Sequence, residues 1–234
     1  MKRLCAAGLA LVLLVLALPA LGQARVFNPP NELERRRQAL YGFLDTAFTP
    51  EYAGDDRDFL LRWTEPIRVS IAGAYTPEEE AFFEAFLDQL NQAGLQTFPG
   101  IMRVAPEYDP NMVITYCPLA EMGNYVQGYV PGNWGMFYYY YENWALVHAN
   151  IAIATDVTTL EDRQHLLLEE IVGALGLTND IYTYSDSIVY QPWTTMQQLS
   201  DLDWLMLGYL YSDKLTLGMN AVEAYGRLLP GLTQ

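Results

Sequence analysis

One stretch of the chain combines the residue types that metal-dependent and acid–base chemistry require. His165, Glu169 and Glu170 lie in a leucine-rich run, and Asp180 follows it. On a helix, residues four apart share a face, so His165 and Glu169, joined by Asp180, would offer one nitrogen and two carboxylates to a divalent ion. Glu170 is the candidate general base. A histidine among leucines also fits a packed structural residue, and the sequence leaves both interpretations open.

The glycine and polar residues in and after this run restrict its chemistry further. Adjacent helical residues point about 100° apart, so Glu169 and Glu170 cannot form a facing acid–base pair. The leucines on one flank place at least one of the two acids near the buried side. Gly173 has no donor atom and costs a helix about 1 kcal/mol, which predicts a close backbone approach there. Asn179 and Asp180 are either turn residues or members of a site.

Local signals define the helices around this stretch. Thr159 with Asp162 forms a capping box that begins the central helix, and Gly176 is its predicted C-cap. Thr76, followed by Pro77 and Glu79, begins an earlier helix. Further helices are predicted at 31–48, at 221–229 and after Ser200.

Alternating apolar residues predict the strands. Ile67, Val69 and Ile71 indicate a half-buried strand at 66–72, and further strands are expected at 101–104, 111–116 and 144–155. Residues 125–144 are unusually rich in aromatic side chains, nine of which would exceed one buried strand face. We expect this segment to line or overhang a cleft, with filling of the layer between sheet and helices as the alternative.

These elements, in order, resemble the metzincin clan of zinc peptidases. The resemblance covers Trp63 with the strand after it, the two capped helices, the strand at 111–116, and the runs 186–190 and 199–203. It implies an α+β, zincin-like fold: a mixed twisted sheet packed on an active-site-type helix, with a smaller helical C-terminal part.

In the zincin motif His-Glu-x-x-His-x-x-Gly-x-x-His, two histidines on a helix and a third beyond the glycine bind zinc. Glu169, Gly173 and Asn179 stand at the three histidine places. The resemblance assigns the general-base place to Glu170 and the turn glycine to Gly176, while Val189 replaces the methionine beneath the metal. No cofactor is therefore expected, and a zinc ion held by His165, Glu169 and Asp180 is the alternative.

The sequence also looks like an uncharacterised family of exported proteobacterial proteins, some described as lipoproteins. Its signature, Glu-Glu-x-x-x-x-Leu-Gly-Leu-x-Asn-Asp, is matched by seven residues of this chain. These are Glu169, Glu170, Leu175, Gly176, Leu177, Asn179 and Asp180.

The N-terminus predicts export. Residues 1–24 have the basic start, apolar core and small-residue cleavage site of a signal peptide, with a retained anchor as the alternative. Residues 25–62 would form a linker and an N-terminal helix, and 63–234 the zincin-like domain. Cleavage leaves Cys117 as the single cysteine, so no intrachain disulfide is possible.

Charge and the altered motif together lead to the functional hypotheses. The net charge of −15 becomes two units more negative without Lys2 and Arg3, which disfavours nucleic acid and anionic membranes. We expect a periplasmic or secreted protein without stable membrane insertion after signal removal. The first hypothesis is a non-catalytic binding module for a peptide or glycan. The alternatives are a metallohydrolase that uses Glu170 and an envelope structural or interaction protein.

Overall fold

The computed structural model describes residues 25–49 and 58–232, and the predicted signal peptide lies outside them. Five α-helices are present in the described residues: α1 Glu32–Phe48, α2 Pro77–Gln92, α3 Leu160–Leu175, α4 Asp201–Leu210 and α5 Ala221–Leu228. The six strands are β1 Arg62–Trp63, β2 Ile67–Gly73, β3 Ile101–Arg103, β4 Met112–Cys117, β5 Gly135–Glu142 and β6 Ala145–Ala154. Short 3-10 helices occupy Pro106–Tyr108, Leu119–Asn124 and Leu229–Leu232.

Side-chain caps fix where the helices begin. Thr76, Thr159 and Ser200 each form a complete capping box, so these three predicted starts are confirmed. Asn31 accepts a hydrogen bond from the Glu34 amide and caps α1 through this single bond. Such a cap satisfies amides that the helix leaves without partners and contributes about 1 kcal/mol.

The sheet is mostly parallel. Strands β6, β4, β2 and β3 follow one another in parallel, and β1 pairs with the first residues of β6. Strand β5 pairs antiparallel with β6, its neighbour in the chain. The predicted α+β class is confirmed, as are the strands expected at 66–72, 101–104, 111–116 and 144–155, within one or two residues at their ends.

The larger of two hydrophobic cores in the described chain contains residues of all five helices and of strands β1–β4 and β6. Ile67, Val69 and Ile71 alternate along β2 and are buried in the same core as residues of α2 and α3. Helix α1 packs on α4, and its Leu40 and Phe43 belong to the same core. Each fully buried side chain of this size contributes about 1.5–3 kcal/mol.

Strand β1 is anchored by side chains that reach distant parts of the chain. The buried guanidinium of Arg62 donates to the backbone carbonyls of Leu210, Ser212 and Leu215 at 2.7, 2.9 and 2.9 Å. Trp63 donates from Nε1 to the carbonyl of Ala174, at 2.9 Å. Carbonyls at and beyond the end of α4, which have no partner within the helix, thus obtain donors from β1.

Among the residues the structure describes, no helix is both long and apolar enough to span a membrane.

Candidate functional site

A cleft of about 860 Å³ separates β5 from α3. One wall consists of residues 130 and 132–137, and the opposite wall of the α3 residues Leu166, Glu169, Glu170 and Gly173. The end of α1 and segments after α3 complete the lining. The central helix and the aromatic-rich segment therefore meet at one concavity.

Both glutamates of α3 line this cleft, but at different depths. Glu170 is 7% exposed, and a Cβ atom added to Gly135 would overlap its carboxylate, so the glycine provides the room for that group. The side chain of Glu169 is 21% exposed. The expectation that at least one acid lies near the buried side is confirmed by Glu170.

His165 lies beneath the surface of α3 and is not among the residues that line the cleft. Its Nδ1 lies 3.0 Å from the carbonyl oxygen of Met196, which can only accept, so Nδ1 carries a proton. Burial lowers the pKa of His165, which favours a neutral ring with a lone pair on Nε2. That nitrogen is 3.7 Å from Oε2 of Glu169, so the predicted proximity of these two residues is present.

Two tryptophans connect segments on either side of the cleft. Trp134, just before β5, meets Trp193 edge to face, with ring centroids 5.2 Å apart. The imidazole of His165 also contacts Trp193 edge to face, with 5.4 Å between the ring centroids. His165 thus holds the segment around Trp193 and Met196 against α3.

Gly173 is explained by a side chain on the facing strand. A Cβ at residue 173 would lie 2.8 Å from Cζ of Phe137, closer than atoms can pack. The predicted close approach is present, but the approaching group is a phenyl ring of β5 rather than backbone.

Asn179 caps the end of α1. Its backbone amide donates to the carbonyl of Thr46 at 3.0 Å, and its Nδ2 donates to the carbonyl of Asp45 at 3.2 Å. These carbonyls lie in the last turn of α1 and have no partner within the helix. Asp180, the next residue, lines the cleft.

The turn that carries Val189 is fixed by a buried carboxylate. Asp203 accepts from the Ser187 hydroxyl at 2.6 Å and from the Ile188 amide at 3.1 Å. It also accepts from Ser200, as the capping residue of α4. Burial raises the pKa of Asp203 to about 6, although these hydrogen bonds favour its charged form. Val189 is thereby held in the lining of the cleft.

The residues that the zincin resemblance aligns with the three histidines do not fit a zinc ion bound in the manner of that motif. Gly173 has no donor and faces Phe137, and the side chain of Asn179 is used at α1. Within residues 25–49 and 58–232, no group of three or more histidine, cysteine, aspartate or glutamate side chains is arranged to hold a metal. The structure brings His165 and Glu169 together, and Asp180 shares the cleft with Glu169.

The charge of the cleft is negative. Its lining includes Asp45 together with Glu169, Glu170 and Asp180, and no lysine or arginine among the residues described. Burial raises the pKa of Asp45. No sequence signal singled out Asp45, because it reaches the cleft from the last turn of α1.

Strand β5 offers one backbone edge to the cleft. Trp134 accepts from the Ala154 amide and pairs with it, so Trp134, Met136 and Tyr138 direct their backbone groups toward β6. In an antiparallel pair the intervening residues point the other way, which directs the backbone of Gly135 and Phe137 outward. Both residues line the cleft, and no described strand pairs with this edge.

The nine aromatic residues at 125–144 are divided between two faces. None is fully buried, so they do not simply fill the core. Trp134 and Phe137 line the cleft. Tyr138 and Tyr140 contact one another on the opposite face, where Tyr140 also meets His148. The prediction of a cleft-lining aromatic segment thus holds for part of it.

Comparison with known proteins places the chain in a family without an assigned activity. A search of curated proteins finds no match to this chain. A family model described as a protein of unknown function, DUF2927, matches residues 36–229, which is most of the chain, and the protein belongs to that family.

Proposed function

We propose that this protein is an exported, non-catalytic binding module that holds an extended polypeptide in the cleft between β5 and α3. The observation that carries the proposal is the outward edge of β5, where the backbone groups of Gly135 and Phe137 line the cleft. An extended peptide can pair with such an edge as an additional strand, and the cleft then accommodates alternate side chains. The proposal includes a zincin-like ancestry, supported by Glu170 and Gly176 at the motif's places on α3.

Backbone amide exchange provides the test. The protein is mixed with eight-residue peptides of randomised sequence, a length that matches β5. Strand addition should slow exchange at Gly135 and Phe137, whereas Met136 and Tyr138, already paired with β6, should change little. Equal protection of all four amides, or none at any peptide concentration, would contradict strand addition.

A pair of tryptophan substitutions tests the location. Thr178→Trp adds a bulky ring to the lining of the cleft, and it should abolish the protection. Val157→Trp makes a comparable change at an exposed residue outside the cleft lining and should leave the protection intact. A glycan is the alternative occupant, which the partly exposed indoles of Trp134 and Trp193 favour. Binding of soluble oligosaccharides, together with no binding of peptides, would identify a glycan as the occupant.

The second candidate is a metallohydrolase. It is favoured by the buried carboxylate of Glu170 in a cleft and by the 3.7 Å separation of His165 Nε2 from Glu169 Oε2. The zinc measurement described in the Discussion separates it from the binding module.

A further inference from the structure

We propose that the occupant of the cleft is a basic polypeptide segment whose lysine or arginine side chains project toward α3. This inference rests on the proposed function, and it deepens that function by assigning the chemical class of the occupant. It combines the charge of the lining with the aromatic groups and the strand edge around it.

Charge complementarity is the first step. Asp45, Glu169, Glu170 and Asp180 come from two helices and the segment after α3, and they all line one cavity. No lysine or arginine lines it within the described residues, so its field attracts cations. Low-dielectric walls strengthen that field, and the overall charge of −15 adds long-range attraction for a basic partner.

The tryptophans supply a second, independent observation. Trp134 and Trp193 remain 37% and 50% exposed although they contact each other at the cleft. Indole faces attract ammonium and guanidinium groups, and they also cover the aliphatic stems of lysine and arginine. An acidic or purely aliphatic occupant would not use both the carboxylates and the rings.

Strand geometry adds a positional rule. A peptide paired with Gly135 and Phe137 would place successive side chains on opposite sides, so every second residue would face α3 and its carboxylates. The intervening side chains would point away from the helix. The occupant should therefore carry its basic residues at alternate positions.

Labelled peptides of eight residues, the length of β5, test this inference by fluorescence anisotropy. One peptide alternates alanine with arginine, a second alternates alanine with glutamate, and a third alternates alanine with serine. The first should bind, with an affinity that falls as salt is raised, and the other two should bind roughly tenfold more weakly or not at all.

Matched variants separate the cleft from the general acidity of the surface. The double variant Glu169→Gln, Asp180→Asn removes two charges from the cleft and should lower the affinity for the arginine peptide roughly tenfold. The control Glu107→Gln, Asp213→Asn removes two exposed charges outside the cleft lining and should change affinity by less than about twofold. Equal weakening in both would overturn the inference, since binding would then be non-specific.

The outcomes distinguish this inference from the proposed function. Serine or glutamate peptides that bind as tightly as the arginine peptide, with Gly135 and Phe137 protected from exchange, would refute the basic occupant and keep the peptide-binding module. Failure of all three peptides would refute both. A calcium titration is the third measurement. The inference would also be overturned if the wild-type protein bound one calcium ion but no peptide, and if the cleft double variant lost that ion.

Discussion

The phenyl ring of Phe137 lies over Gly173 of α3, in the space that a side chain at residue 173 would occupy. This contact joins the strand that forms one wall of the cleft to the helix that forms the other. It also places a hydrocarbon ring against the residue that the zincin resemblance aligns with the second histidine. A glycine in the middle of a helix is unfavourable by itself, so the ring contact accounts for its presence.

Gly173→Ala should therefore destabilise the protein. The added methyl overlaps Phe137, and overpacking of this kind costs about 1–3 kcal/mol, partly offset by up to about 1 kcal/mol of helix propensity. Urea unfolding measures the change. In the background of Phe137→Leu, which removes the ring, Gly173→Ala should lower the free energy of unfolding by less.

Gly208→Ala is the matched control for that prediction. Gly208 also lies within a helix, but a Cβ there meets nothing within 4 Å. It should stabilise the protein by up to about 1 kcal/mol. Destabilisation of similar size by both substitutions would show that the ring contact is not the cause.

His165→Ala should loosen the segment 191–199 without a comparable effect elsewhere. The imidazole donates to Met196 and packs against Trp193, so its removal frees both attachments. Hydrogen exchange should accelerate in this segment by about tenfold more than in β2 or β4. His165→Asn, which retains a side-chain donor, should restore part of the protection.

His148→Ala serves as the control for this effect. His148 is paired with Asn150 on the opposite face of the sheet. Its removal should leave the exchange of 191–199 unchanged. A uniform increase across the sheet after His165→Ala would instead indicate a general packing role.

Asp203 should make stability depend on pH. Burial raises its pKa from the ordinary 3.8 to about 6, so between these values the folded protein retains a proton that the unfolded chain has released. The contribution of Asp203 to the free energy of unfolding is therefore fully present below about pH 4. It decreases by roughly 3 kcal/mol as the pH rises to about 6.

The difference between two variants isolates this contribution. Asp203→Asn should remove the fall in unfolding free energy across that interval, whereas Asp201→Asn, at an exposed residue of the same turn, should retain it. Unfolding in urea at several pH values provides the measurement. Parallel pH profiles for wild type and Asp203→Asn would contradict the assignment.

The protein purified without chelator should contain no stoichiometric zinc. Catalytic zinc usually takes three protein ligands, and here Gly173 lacks a donor while the Asn179 side chain donates to α1. Elemental analysis with a zinc titration decides the point. One tightly held zinc per chain, lost on His165→Ala or Glu169→Gln, would make the metallohydrolase with Glu170 the preferred function.

Helix boundaries were predictable because their causes are local. Thr76, Thr159 and Ser200 bind amides three residues ahead, so a short window of sequence contains both partners. The alternation of Ile67, Val69 and Ile71 likewise predicts β2 without knowledge of its neighbours.

The cleft depends on contacts that no short window contains. Gly173 is explained by Phe137 on another element, and Asn179 by the end of α1. The outward direction of Gly135 and Phe137 follows from the pairing of β5 with β6, which the four consecutive tyrosines alone leave undetermined. The sequence thus predicted that at least one of Glu169 and Glu170 would lie near the buried side, but neither which of them nor which groups would face it.

The hydrogen bonds from Arg62 to the carbonyls of Leu210, Ser212 and Leu215 determine when the chain can fold during its synthesis. The ribosome completes β1 long before it adds these acceptors, so the nascent chain lacks partners for that guanidinium until α4 and residues 211–215 have emerged. The native arrangement is therefore withheld until nearly the whole polypeptide exists. If the protein is exported as proposed above, this delay would keep the precursor unfolded during translocation.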